Sequence, residues 1–186
     1  MENELPIVSF YRGQIPDAAG RKIEDIWKFD DIALEGVHNY IQNLFPLPEP
    51  SPFNKNGFIL DEATIKAFNE DAILRDRLLV SLGVMLRFYR LEIKDNKIQP
   101  IGFNNQFDFS TLHWITVGNH NYRRLTRIMS CLRLLGWRQF AEALYCCLIN
   151  ITVNIRCLYC DEKKDRIDYV TLGYWKEAVL GPPESN

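Results

Sequence analysis

The chain has 186 residues, which corresponds to one domain of ordinary size at roughly 150 residues per domain. Hydrophobic residues make up 47% of it and charged residues 25%, which excludes a disordered or fibrous protein and is typical of a packed soluble domain. The formal net charge is -2 and the isoelectric point is about 5.9. These values argue against duplex nucleic acid as the main partner, because domains that bind it are usually strongly basic.

In the first half of the chain, the hydrophobic pattern predicts helices around a proline-rich loop. Apolar residues from Ile32 to Leu44 recur at the spacing of one buried helical face, which predicts a single helix. A run of alternating prolines ends that helix and predicts a long irregular loop: Pro46, Pro48, Pro50 and Pro52. Asp61 is the predicted N-cap of a short helix, and a longer helix is predicted from about Asp71.

In the second half, the pattern predicts a hairpin and then mainly helices. Residues 92–103 contain a turn signal and predict a small hairpin. The strongest helical pattern begins at residues 119–121 and runs to about Leu135, where Gly136 can end the helix in the left-handed conformation. A last amphipathic helix is predicted over residues 168–179. The predicted fold is a mostly α single domain, a bundle of about six to eight helices with a long Pro-rich loop.

The sequence carries no sign of export or of membrane insertion. Its acidic N-terminus lacks the basic and apolar regions of a secretory signal, and no stretch reaches the about 20 apolar residues of a spanning helix. Five cysteines cannot all pair within one chain. We therefore expect a reducing compartment, the cytoplasm or the nucleus.

The charges separate along the chain and place a basic cluster near residue 120. Residues 1–50 contain nine acidic and four basic side chains, whereas residues 101–150 contain two acidic side chains and five arginines. Helical spacing predicts one shared face for His120, Arg123, Arg124 and Arg127. A helix N-terminus capped by Asn119 and flanked by arginines suits a phosphate or a carboxylate. The alternative is an ordinary solvated face, paired with the acids of residues 24–35.

The cysteines and histidines give no pattern typical of a metal or redox site. Cys157 and Cys160 form an isolated C-x-x-C pair, and a structural zinc site needs four ligands, so we expect reduced, metal-free thiols. The three histidines have no metal-ligand spacing: His38, His113 and His120. No phosphate-binding loop, nucleophile elbow or metalloprotease motif is present, and no cofactor or metal is expected.

Four segments follow one another in an order that is typical of one family. They are Phe10-Tyr11-Arg12-Gly13, the H-N-Y-I-Q-N-L-F-P run at residues 38–46, the M-L-R-F-Y run at residues 85–89, and the segment 119–128 with N-H-N and T-R-I. The chain thereby resembles the conserved region of the opioid growth factor receptor family. The resemblance spans about residues 10–180, so residues 1–9 are an expected N-terminal extension and residues 181–186 an expected tail.

The resemblance implies a helical domain. It also implies the association of the animal family members with opioid peptide binding, the nucleus and growth restraint. This sequence departs from the family pattern at Asn43, where the H-x-Y-I-Q-W-L-F-P run has tryptophan. The chain ends soon after the conserved region, and it is expected to be a small family member without the repeat-bearing tail.

These features lead to a hypothesis and two alternatives. The hypothesis is a non-enzymatic binding module for a peptide or an anionic ligand. The expected ligand-binding residues are Tyr11, Arg12, His38, Gln42, Asn119, His120, Asn121, Arg123 and Arg127. One alternative is an enzyme acting on a phosphorylated or nucleotide-like substrate, with His38 or His120 as general acid or base. The other is a helical interaction subunit that docks a protein partner through Tyr174 and Trp175.

The helix near residue 120 allows two structural predictions. Leu125, Met129 and Leu132 should be buried, while Arg123 and Arg127 should be more exposed. Residues 119–121 should lie at a helix N-terminus, because short amide side chains compete for backbone hydrogen bonds inside a helix. They should also lie within reach of residues 10–12 or 40–42.

Overall fold

The computed structural model describes residues 5–104, 106–158 and 166–181, with the backbone alone for residues 157 and 158. These residues form nine α-helices and one two-stranded sheet, so the predicted mostly α fold class is confirmed. The chain divides into two compact units, residues 1–88 and residues 89–186. No helix in the described ranges is long and apolar enough to cross a membrane.

The first unit consists of short helices around one long helix. Its elements are α1 (Pro6–Tyr11), α2 (Ile23–Trp27), α3 (Asp31–Gly36), α4 (Ile41–Leu44), α5 (Glu62–Glu70) and α6 (Ala72–Phe88). Helices α1, α2 and α5 all pack against α6. Aromatic rings fill the space between them, with Tyr11 edge-on to Phe68 at a centroid distance of 4.8 Å. The core of this unit therefore depends on contacts that are distant in sequence.

The single helix predicted from Ile32 to Leu44 is wrong, because the structure has two helices there. Helix α3 ends at Gly36, and Val37 adopts an extended backbone. The hydroxyl of Tyr40 then donates a hydrogen bond of 2.9 Å to the carbonyl of Leu34. Two short helices therefore bury Leu34, Tyr40, Ile41 and Leu44, whereas Ile32 is 82% exposed and does not belong to the buried face that the pattern predicted.

The predicted helix starts of this unit are confirmed. The carboxylate of Asp61 accepts a 2.7 Å bond from the Thr64 amide at the start of α5. The carboxylate of Asp71 accepts a 2.8 Å bond from the Ile73 amide at the start of α6. Both carboxylates satisfy amides that have no partner within the helix.

The second unit begins with a hairpin and ends with three helices. Its elements are β1 (Leu91–Lys94), β2 (Lys97–Pro100), α7 (Asn121–Leu134), α8 (Arg138–Leu158) and α9 (Tyr169–Leu180). The predicted hairpin is confirmed as an antiparallel pair. Its two turn residues, Asp95 and Asn96, have φ values of 50° and 59°, which suit the tightest hairpin turns.

Helix α7 is the centre of this unit and packs against α8 and α9. Leu125, Met129 and Leu132 are buried and Arg123 is exposed, which confirms the predicted phase of the helix. Gly136 has a φ of 79° and ends the helix as expected. The amide of Trp137 donates a 2.8 Å bond to the carbonyl of Leu132, which closes the C-terminus.

Candidate functional site

The nine expected ligand-binding residues belong to both units. Four lie in the first unit: Tyr11, Arg12, His38 and Gln42. Five lie in the second unit: Asn119, His120, Asn121, Arg123 and Arg127. A shared groove between these groups stays a prediction, and the geometry within each group is described in turn.

Two of the four residues in the first unit are buried and bonded to the protein. The hydroxyl of Tyr11 donates a hydrogen bond to the carbonyl of Leu44, which connects α1 to α4. The side-chain amide of Gln42 lies 3.5 Å from the hydroxyl of Ser51, and its oxygen has no partner among the described residues. The primary effect of both side chains is to hold the segment around α4 in place.

Arg12 and His38 are exposed. The guanidinium of Arg12 lies 2.6 Å from the carboxylate of Asp71. The hydrogen bond from Arg12 is the main cause that lowers the pKa of Asp71. Arg12 therefore connects the end of α1 to the start of α6, while His38 lies in the turn between α3 and α4.

A buried polar network lies beside these residues, and the sequence did not reveal it. Asp17 is buried, and its carboxylate accepts bonds of 2.9 and 2.6 Å from Nε and Nη2 of Arg21. The same carboxylate accepts a 3.0 Å bond from Nδ2 of Asn43. A carboxylate in such a place is tolerated because its oxygens are saturated with donors.

Asn43 extends this network into the proline-rich loop. Its Oδ1 accepts a bond of 3.4 Å from the Phe58 amide and one of 3.4 Å from Nδ2 of Asn54. Nδ2 of Asn54 also donates a 2.8 Å bond to the carbonyl of Asn39. Asn43 is the position at which the chain departs from the tryptophan of the family run. This departure at Asn43 was the available signal for a polar partner at this position.

We expect the first unit to lose stability at acidic pH through Asp17 and Glu24. Burial raises the pKa of Asp17, but the hydrogen bonds and the charge of Arg21 outweigh it and leave the pKa lowered. Burial also raises the pKa of Glu24, but the hydrogen bond and the charge of Arg77 outweigh it, so the pKa of Glu24 is lowered as well. A lowered pKa in the folded state stabilises above the unfolded pKa, and this stability is lost as the pH falls through the folded value.

The measurement is urea unfolding between pH 7 and pH 2. The free energy of unfolding should fall below about pH 4, where unfolded carboxylates begin to take up protons. In Glu24→Gln the fall should be smaller than in the parent, whereas the exposed control Asp76→Asn should follow the parent curve. Equal curves for all three proteins would contradict the assignment to Glu24.

In the second unit, Asn119 and Asn121 start α7 as the sequence predicted. Oδ1 of Asn119 accepts a 2.9 Å bond from the Asn121 amide, and its Nδ2 donates a 2.9 Å bond to the hydroxyl of Thr116. Helix α7 begins at Asn121. The predicted placement of residues 119–121 at a helix N-terminus is confirmed, with His120 at the N-cap position and Asn119 one residue before it.

Asn121 is buried at the centre of a second polar cluster. Its Oδ1 accepts a 3.3 Å bond from the hydroxyl of Tyr89 and a 3.2 Å bond from Nη1 of Arg124. The carbonyl of Tyr89 accepts a 2.9 Å bond from the indole of Trp114. The predicted placement of Arg124 on the exposed face is therefore wrong, because this arginine is buried and bonds to Asn121 in the interior.

The accessible part of the cluster consists of His120, Arg123 and Arg127. His120 and Arg123 are exposed, and Arg127 is half-buried. Helix α7 contains four arginines and no acidic residue. Arg133 donates a 2.9 Å bond to the carbonyl of Ala178 and so connects α7 to α9. Within the described ranges, the guanidinium of Arg123 has no ion-pair partner.

The described cysteines are not arranged for metal or redox chemistry. Cys131 and Cys147 are buried, and burial raises the pKa of both thiols, that of Cys147 to about 12. Cys146, next to Cys147 on α8, is exposed. No three potential metal ligands of the His, Cys, Asp or Glu type come together in the part of the chain that the structure describes. The prediction for Cys157 and Cys160 lies outside the described side chains.

Comparison with known proteins gives a family-level match. The family model described as the opioid growth factor receptor (OGFr) conserved region matches residues 1–180. The chain is 35% identical to the opioid growth factor receptor of Homo sapiens over 149 residues, which is 76% of this chain and 21% of that protein. It is 31% identical to opioid growth factor receptor-like protein 1 of Rattus norvegicus over 150 residues, 77% of this chain and 31% of that protein.

A third relative, opioid growth factor receptor-like protein 1 of Xenopus tropicalis, is 35% identical over 147 residues, 76% of this chain and 28% of that protein. The chain thus spans between about a fifth and a third of the length of these relatives. No solved structure matches it.

Proposed function

Because this chain belongs to the opioid growth factor receptor conserved-region family, we propose that it is a non-enzymatic module that binds a peptide through an anionic group. The relatives are named as receptors of a growth factor, which supports a peptide as the ligand. The observation that carries the proposal is the exposed guanidinium of Arg123 in the first turn of α7, which has no acidic residue to balance it.

The position of Arg123 is unfavourable for the helix itself. A cation in the first turn opposes the helix dipole and costs about 0.3–1 kcal/mol. A carboxylate of a ligand would remove this cost and would accept two parallel hydrogen bonds from the guanidinium. Arg123 is therefore better suited to an external anion than to the stability of the chain.

The remaining site residues divide into positioning and contacting groups in this proposal. Asn119 and Asn121 hold the start of α7 through the bonds described above. His120 and Arg127 flank Arg123 on the accessible side and would contact the ligand. In the first unit, the proposed contacts are the exposed side chains Arg12 and His38, while Tyr11 and Gln42 are buried and bond to Leu44 and Ser51.

We expect Arg123→Ala to weaken the binding of an acidic peptide by about 10-fold or more, because a charge-assisted hydrogen bond contributes about 1.5–3 kcal/mol. The probe is a fluorescently labelled peptide of alternating glycine and glutamate with a free C-terminal carboxylate, measured by anisotropy at low salt. The free energy of unfolding should stay the same or rise by up to about 1 kcal/mol, because the substitution removes a cation that opposes the helix dipole.

Arg138→Ala is the matched control, because this substitution also removes an exposed arginine charge, from the neighbouring helix α8. Arg138 pairs with Glu142 at 2.8 Å. Equal weakening by both variants would show a general charge effect instead of a site. Absence of binding to the parent protein, both for this peptide and for its C-terminally amidated form, would refute an anion site at Arg123.

The enzymatic alternative has less support. It needs His38 or His120 as a general acid or base, and both side chains are exposed. Acid–base catalysis usually takes place where water is excluded. The binding proposal does not require the exclusion of water.

A further inference from the structure

The side-chain amide of Gln42 is buried and poorly satisfied. Gln42 is 5% exposed, and its Oε1 has no hydrogen-bond partner among the described residues. Its Nε2 lies 3.5 Å from the hydroxyl of Ser51, a longer separation than the about 2.7–3.2 Å of an ordinary N–H···O bond. Buried polar groups in proteins are nearly always satisfied, so each exception calls for an explanation. The amide of Gln42 therefore has capacity for a donor that the described chain does not supply.

The segment that contacts Gln42 through Ser51 is poor in backbone donors. Every second residue of it is a proline, which has no N–H group: Pro46, Pro48, Pro50 and Pro52. The two amides that follow are already bonded to Ser51. The Phe53 amide donates to its hydroxyl at 3.3 Å, and the Asn54 amide donates to its carbonyl at 3.2 Å. The composition of this segment thus explains why Oε1 of Gln42 is left without a donor.

Residues 48–53 form a thin strap on the surface of the first unit. Ser51 is 8% exposed, whereas the other five residues of the strap are exposed. The strap is anchored on both sides, by the bond of Asn54 described above and by a 3.1 Å bond from the Leu60 amide to the Leu47 carbonyl. A segment with one small buried side chain can lift away at little cost in core contacts, and its prolines keep it stiff.

The surroundings of Gln42 favour an uncharged partner with both a donor and an acceptor. The carboxylate of the neighbouring network, that of Asp17, is already bonded to Arg21 and Asn43, so it does not offer a counter-charge to a buried cation. A side-chain amide carries an acceptor oxygen and an N–H donor side by side. The main chain of an extended peptide presents the matching N–H and C=O groups, and it can therefore make two hydrogen bonds with one glutamine.

We infer that Gln42 is a binding site for the main chain of an extended peptide and that the strap of residues 48–53 is the lid of this site. In the closed state, Ser51 lies beside Nε2, where the carbonyl of the peptide binds. When the strap lifts, a peptide N–H donates to Oε1 and a peptide C=O accepts from Nε2. Because only the open state binds, the apparent affinity is reduced by the fraction of molecules that are open. This site goes beyond the proposed anion site on α7 and does not require it.

An uncharged peptide tests this site separately from the anion site. The probe is acetyl-Ala-Ala-methylamide, which is titrated into the isotope-labelled full chain and followed by NMR. The side-chain amide signals of Gln42 and the backbone amides of Phe53 and Asn54 should shift and reach saturation, with a dissociation constant in the millimolar range for so small a ligand. Arg123→Ala should leave this binding unchanged, because the probe has no anionic group.

Two substitutions should change the affinity for this probe in opposite directions. Gln42→Leu removes both bonds to the peptide and should weaken binding about 10-fold or more. Ser51→Ala removes the hydroxyl that competes for Nε2 and holds the strap closed, so it should strengthen binding about 3-fold or more. The melting temperature of Gln42→Leu should stay within about 4 °C of the parent, because an apolar side chain of similar size replaces a poorly satisfied polar one.

Gln14→Leu is the matched control, because Gln14 is an exposed glutamine of the same unit. It should leave the affinity for the probe unchanged. If neither the parent nor Ser51→Ala shows saturable shifts at Gln42, the partner of its Oε1 is a buried water and the inference is overturned. Unchanged binding in Gln42→Leu would also overturn it, and weaker binding in Ser51→Ala would show that the strap is not a lid.

Discussion

Replacing Trp175 with alanine should lower the free energy of unfolding by about 3–5 kcal/mol, the usual cost of deleting a buried tryptophan side chain. Trp175 is 0% exposed and fills the space between α9 and α7. Its ring lies edge-on to that of Tyr122, with 5.8 Å between the ring centroids. Alanine would leave a cavity and would remove the hydrogen bond from the indole N–H to the Tyr122 carbonyl, which would keep only its bond from the Thr126 hydroxyl among the side-chain donors described.

The neighbouring Tyr174 offers a matched control on the same helix. Its side chain is exposed, so Tyr174→Ala should change the free energy of unfolding by less than about 0.5 kcal/mol. Both variants are compared by urea unfolding under the same conditions. A small effect of Trp175→Ala, or similar effects of the two variants, would show that α9 does not pack as described. The expectation that Trp175 docks a partner is wrong, since this side chain is fully buried inside the protein.

Asp17→Ala should destabilise the chain by a similar amount, about 3–5 kcal/mol, because it leaves the half-buried guanidinium of Arg21 without its carboxylate, with only the Asn39 carbonyl as an acceptor among the described residues. The guanidinium of Arg21 would lose both of its bonds to the carboxylate. Nδ2 of Asn43 would lose its acceptor in a buried position. The free energy of unfolding from urea titration at pH 7 measures the effect.

Two further variants separate charge from packing at this position. Asp17→Asn keeps the shape and one acceptor oxygen, so it should destabilise less than alanine. Asp76→Ala removes an exposed carboxylate from α6 and should have an effect of less than about 0.5 kcal/mol. If Asp17→Ala were as mild as Asp76→Ala, the network would contribute little to stability.

The sequence by itself determined the features that depend on residues within one or two turns of each other. The phase of α7 followed from the spacing of Leu125, Met129 and Leu132, and its end from Gly136. The hairpin followed from its two turn residues, and the start of α5 from the side chain of Asp61. Caps, turns and helical phase are set by local hydrogen bonds and by helical geometry, so they can be read from neighbouring residues.

Only the tertiary structure decided which polar and aromatic side chains are buried and bonded within the protein. Arg123 and Arg124 are adjacent in an arginine-rich helix, yet only Arg124 is buried, because its bonding partner Asn121 also meets Tyr89, 32 residues away in the chain. Asn43 can be buried because its side-chain amide donates a hydrogen bond to Asp17, which lies 26 residues away in the chain. A charged or polar group can leave water only where partners from other parts of the chain satisfy it, and those partners are brought together by folding.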